Sequence, residues 1–371
     1  MRVVIFCHSL VSDWNHGNAH FLRGICTELR ARSHEVQVYE PLSAWSVQNL
    51  VAEHGEAPLE AFGRAYPGLR SHRYDPATLD PDEALDGADL VLVHEWNDHT
   101  LVKRIGEHRR SRGAYRLLFH DTHHRSVTET AGMSAYALEH YDGVLAFGDV
   151  IREIYRRNGW GRRAWTWHEA ADVRVFHPRT GEPREGDLVW IGNWGDDERT
   201  AELQEFLLDP VRELKLTARI HGVRYPDDAR RRLSEAGIQY AGWIANFEAP
   251  HVFARFGVTV HVPRRPYVAA LPGIPTIRVF EALACGIPLV CAPWNDAEDL
   301  FTLGQDFLVA RNGAGMRDRL HAVLNDPDLA AGLAQHGLAT VRERHTCAHR
   351  VDELLNIYAG LEPRQEASVA S

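Results

Sequence analysis

Short apolar runs alternate with helical stretches along this chain, and the alternation occurs in two series. RVVIFC (2–7) reads as a buried strand, and residues 19–33 place Phe21, Leu22, Ile25, Cys26 and Leu29 on one helical face. VQVY (36–39) then returns as a strand, which makes a βαβ unit and implies a parallel sheet with right-handed crossovers. DLVLVH (89–94), YRLLF (115–119) and GVLAF (143–147) continue the first series. The second series runs through LVWI (188–191), LTARI (216–220), IQY (238–240), VTVHV (258–262) and PLVC (288–291). Its helices are expected over 199–208, 228–236, 276–285, 316–325 and 328–344.

At 371 residues the chain suits two domains. The charged, breaker-rich GEPREG (181–186) separates the series. The expected layout is an α/β domain over 1–182 and a second over 183–345. A terminal helix over 346–361 returns toward the first domain, and 362–371 is a flexible tail. Two doubly wound sheets facing each other leave a cleft at the C-terminal ends of their strands.

Composition narrows the function classes. A formal charge of −10 argues against nucleic acid as a partner. Five cysteines without a C-x-x-C spacing argue against a disulfide framework and for a reducing, cytoplasmic setting. The N-terminus lacks a signal peptide's apolar segment, and no apolar run reaches the roughly eighteen residues of a membrane span.

Polar residues just beyond strand ends are the candidate site. Gly17 precedes the first helix, where backbone amides receive an anion; the alternative there is a helix cap made by Asn18. Glu95 follows a strand, as a general base or as a cap. HDTHHR holds His120, Asp121, His123 and His124 at spacings that fit no standard metal set, which leaves polar contacts to a sugar or acceptor, or a solvated loop. Gly192 and Asn193 form a turn, with Arg199 opening the next helix as a diphosphate ligand or as half of a surface ion pair. Tyr240 and Trp243 are core aromatics or a nucleobase platform. At least one of Arg264 and Arg265, just past a buried strand, is expected to hold an anion. In PTIRVFEALACG, the amides of Thr276, Ile277 and Arg278 suit a phosphate, and Glu281 suits a ribose diol.

FEALACGIPLV resembles a sequence block of GT-B glycosyltransferases, which have two Rossmann-like domains. The wider set of GNWGDDERTAEL, PTIRVFEALACGIPLV, DLFTLGQDFLVA and RHTCAHRVDELL is similar to glycosyltransferases related to the spore maturation protein CgeB. The resemblance implies transfer of a sugar from a nucleotide-sugar donor on the second domain to an acceptor of unidentified class on the first. The donor would be UDP-linked and serve as co-substrate, with no metal and no separate cofactor. Glu281 would hold the ribose, the Thr276–Ile277 amides the distal phosphate, Arg199 the diphosphate, and His120 would lie near the donor sugar. Gly273 stands where many relatives carry a second glutamate. Two other readings stay open: a sugar-nucleotide epimerase of the same fold, and a catalytically silent glycan- or nucleotide-binding module. If the reaction inverts, Glu95 or Asp121 is the candidate base.

Overall fold

The computed structural model describes residues 1–361, so the expected tail at 362–371 lies outside the described residues. The first domain is a seven-stranded parallel sheet in the order β3-β2-β1-β4-β5-β6-β7. Its strands are β1 (Arg2–Phe6), β2 (Glu35–Pro41), β3 (Ser71–Tyr74), β4 (Leu90–His94), β5 (Arg116–Asp121), β6 (Gly143–Ala146) and β7 (Ala164–Thr166). The second domain is a six-stranded parallel sheet in the order β10-β9-β8-β11-β12-β13. It is built from β8 (Gly186–Ile191), β9 (Ala218–His221), β10 (Ile238–Tyr240), β11 (Phe256–His261), β12 (Leu289–Cys291) and β13 (Leu308–Val309). Both sheets are doubly wound, with the first strand central and the chain moving outward on either side.

Central β1 and β4 are apolar and fully covered by helices, as a parallel sheet buried on both faces requires. The strands that alternation did not reveal are short or polar. SHRY in β3, AWT in β7 and LV in β13 lie at or beside sheet edges, where little apolar surface needs covering.

The helix Cys347–Ala359 crosses back to the first domain and packs on the helix Ala19–Ala31. A side chain at Gly24 would place its Cβ 2.3 Å from the Cys347 sulfur, so glycine permits that close approach. The two chain crossings between the domains are tied together, because the Ala171 amide donates to His345 O at 3.0 Å and the Cys347 amide donates to Ala171 O at 3.0 Å. No helix among the described residues is long and apolar enough to cross a membrane. All five cysteines are free and buried.

Candidate functional site

A cavity of about 750 Å³ lies where the C-terminal ends of the two sheets meet. The first domain supplies the loop after β1, with Asp13, Gly17 and Asn18, together with Thr122, His123 and Glu169. The second supplies Gly192 and Asn193 after β8, Trp243 and Asn246 after β10, His261 and Arg264 from β11 and its following loop, and Thr276, Ile277 and Arg278. The two walls are pinned together. Asp13 accepts from Trp243 Nε1 at 3.0 Å and from the Asn246 amide at 3.0 Å, while Arg23 of its own domain donates to it at 2.9 Å. Glu298 accepts from the Asp149 amide at 2.9 Å and from His168 Nε2 at 2.8 Å.

The second-domain wall is cationic. Arg199 sits at the start of the turn Thr200–Leu203, and its guanidinium donates to carbonyls of Asn193, of Trp194 at 3.3 Å and of Val262 at 3.0 Å. The same group lies 5.1 Å from the Trp190 ring. No carboxylate among the described residues pairs with it. Burial, and then the Arg264 charge, pull its pKa down to about 9, so the environment penalises this cation and an anion would relieve it. Arg264 donates to Glu198 at 2.7 Å, and Arg278 pairs with Glu281. The helix Ile277–Ala284, with Thr276 at its N-cap position but no side-chain capping bond, opens beside them and presents its amide end to the cavity. Thr276 Oγ1 is 3.1 Å from His261 Nε2. Gly17 lies against this helix from the other domain, where a Cβ would be 3.3 Å from Ile277 Cγ2.

Several expected residues take other positions. Glu281 is 0% exposed and is not in the cavity wall. Its Oε1 accepts from Asn246 Nδ2 and from His20 Nδ1, each at 2.7 Å, and its Oε2 accepts from Arg278. The Asp172 amide donates to His20 Nε2 at 2.9 Å, which leaves Nδ1 as the ring's donor to Glu281. Burial raises the Glu281 pKa, but Arg278, His20 and Asn246 outweigh it and hold the carboxyl below its usual range. Glu281 therefore positions two cavity residues, Asn246 and Arg278, and bridges the domains. It does not face the cavity as a ribose ligand would.

The HDTHHR strand runs two residues further than its apolar run suggested. β5 ends at Asp121, so His120 lies inside the first domain against Phe21, Trp167 and His94, and Thr122 and His123 reach the cavity instead. Glu95 is also 0% exposed and accepts from the Thr122 amide at 3.2 Å. Its carboxyl meets that of Asp121, and burial together with this neighbour raises its pKa well above the usual range. Burial raises Asp121 to about 6, and neither carboxyl lines the interdomain cavity, although Glu95 borders a second hollow on the first domain. Tyr240 is half-buried against Tyr225 and donates to the O of cavity-lining Gly222 at 2.9 Å without lining the cavity itself, whereas Trp243 lines it. Arg265 points to solvent and pairs with Glu202 at 3.0 Å. Asn18 stands at its helix's N-cap but makes no capping bond, and its amide donates to Glu169 at 2.9 Å. No group of three or more His, Cys, Asp or Glu among the described residues is arranged to hold a metal ion.

Sequence reasoning missed Asp13, Glu169, Asn246 and His261. Each follows or ends a strand, and Glu169 and Asn246 follow strands of only three residues. A second hollow of about 430 Å³ opens on the first domain, and Trp45 and Trp96 line both spaces.

Residues 199–356 match a family model described as "Glycosyl transferase-like". Over that stretch, less than half of its length, the chain is similar to glycosyltransferases. Solved structures show the same two-domain arrangement across the whole chain. Sucrose-phosphate synthase from Thermosynechococcus elongatus superposes with a TM-score of 0.64 at 13% identity, covering 97% of this chain and 98% of that one. HepE from Anabaena in complex with UDP and glucose gives 0.66 at 13% identity, over 97% and 100%. An alpha-glucosyltransferase in complex with UDP and a 13-mer DNA containing an HMU base gives 0.68 at 11% identity, over 97% and 99%. At these identities the likeness establishes the GT-B fold. No curated protein matches the sequence. In GT-B terms, the 750 Å³ cavity is the interdomain cleft, with its cationic side on the second domain.

Proposed function

We propose that this protein transfers a sugar from a UDP-linked donor to an acceptor seated on the first domain, without a required metal or separate cofactor, in the cytoplasm. The observation that supports this most is Arg199, a desolvated guanidinium with no carboxylate partner among the described residues, beside Arg264, Arg278 and the amide end of helix Ile277–Ala284. That cluster has the chemistry a diphosphate requires. The nucleoside would lie toward Trp243 and Asn246. Asn246 Oδ1 is buried without a partner, an acceptor suited to a ribose hydroxyl.

As the bond from the sugar's anomeric carbon to the distal phosphate breaks, negative charge grows on the diphosphate. Preset donors from Arg199, Arg264, Arg278 and the helix amides would lower the barrier by meeting that charge where it develops. The closed contact through Asp13 and Glu298 limits water entry and hence donor hydrolysis. The acceptor would enter through the 430 Å³ hollow and pass between Trp45 and Trp96, whose indoles suit a sugar face. The test is UDP release from UDP-glucose, UDP-galactose and UDP-N-acetylglucosamine in the presence of EDTA. Release from at least one of them supports the reading, while turnover of only ADP- or GDP-sugars, or of none, contradicts it.

A further inference from the structure

The cavity wall contains two carboxylates, Asp13 and Glu169. Asp13 is fixed by the Arg23 guanidinium and by donors from Trp243 and Asn246. Glu169 has no ion-pair partner among the described residues, and the neutral amide of Asn18 is its one side-chain donor, at 2.9 Å. It is 5% exposed and faces the backbone N–H of Ile277, the first residue of the helix whose amide end opens into the cavity.

The backbone that carries Glu169 is held on both sides. Trp167 Nε1 donates to Arg350 O at 2.8 Å, His168 donates to Glu298 at 2.8 Å, and Ala171 is bonded to the strand crossing at His345 and Cys347. The side chain alone is lightly tethered. The main chain thus fixes where the carboxylate starts, and Asn18 and the Ile277 N–H are what hold its oxygens.

We propose that Glu169 is a specificity-determining residue of the phosphate subsite: its carboxylate takes the amide end of helix Ile277–Ala284, and only a nucleotide's distal phosphate displaces it. The inference rests on the nucleotide-donor reading above. One helix terminus has few free amides, and a phosphate and a carboxylate cannot share the Ile277 N–H without close like-charge contact. A nucleoside monophosphate that occupies only the proximal position leaves Glu169 in place. A nucleoside diphosphate must expel it, and the expelled carboxylate then stands beside the bond that breaks. Burial, with Glu281 adding to it, pushes the Glu169 pKa up to about 7 against the pull of Asn18, so a proton is available near neutrality to quench its charge as the phosphate arrives.

The experiment compares UDP and UMP binding by calorimetry in the parent, E169Q and E169A proteins, with melting curves to confirm folding. Removal of the competing charge is expected to tighten UDP binding at least fivefold in both variants while UMP changes less than twofold. Unchanged or weaker UDP binding, or parallel changes for the two nucleotides, overturns the role given to Glu169. A parent protein that binds neither nucleotide overturns the donor reading, and this inference falls with it.

Discussion

Lowering the pH from 8 to 5.5 should destabilise this protein strongly, because many of its 22 histidines are buried in neutral form. Burial lowers His8 and His221 to about 4 and His120, His261 and His345 to about 3. Their ordinary pKa is 6.5, so the unfolded chain takes up protons that the folded state refuses. The sign follows: this stability is fully present above 6.5 and is lost as pH falls. At pH 5.5 each such histidine costs about 1.4 kcal/mol, or roughly 7 kcal/mol for these five. Glu169 acts in the opposite sense. Its pKa is raised from 4.5 to about 7, so the folded state binds a proton first and recovers about 2 kcal/mol over the same range. Over these six groups the loss of about 5 kcal/mol is a large part of a typical stability of roughly 5–15 kcal/mol. The assay is tryptophan-fluorescence melting at pH 8 and pH 5.5, with an expected drop on the order of 10 °C or more. Equal melting temperatures at the two pH values would refute the reasoning, since the buried imidazoles would then have to be protonated at no cost.

Two substitutions separate structural carboxyls from ligands. Glu281→Ala removes the acceptor shared by His20, Asn246 and Arg278, so it should cost about 3–5 kcal/mol of stability, read as a fall in melting temperature; an unchanged melt with lost UDP binding would restore Glu281 as a direct ligand. Glu95→Gln keeps the size of a side chain that does not line the interdomain cavity, so UDP release from the active donor should stay within about threefold of the parent, and a hundredfold loss would return Glu95 to catalysis.

Much of the fold was legible because parallel strands buried on both faces must be apolar. RVVIF and LVLVH carry that requirement openly, while AWT and SHRY lie at or near an edge and do not. The site was less legible because side-chain direction turns on the last residue of each strand. β5 ends at Asp121, two residues beyond its apolar run, and that extension sends His120 inward and brings His123 to the cavity. Glu281 shows a different limit. An acid in an apolar helix signals a buried partner, but its sequence neighbours do not reveal that one partner, His20, comes from the other domain. Glu169 was hidden by the shortness of the strand before it.

The proposal that the cleft takes a nucleoside diphosphate rests chiefly on the guanidinium of Arg199, and titration of UDP into the parent and Arg199→Met proteins tests it most directly. The account predicts UDP binding by the parent and a loss of at least tenfold, about 1.4 kcal/mol, in the variant, with uridine binding unchanged. Equal UDP affinity in the two folded proteins would contradict it.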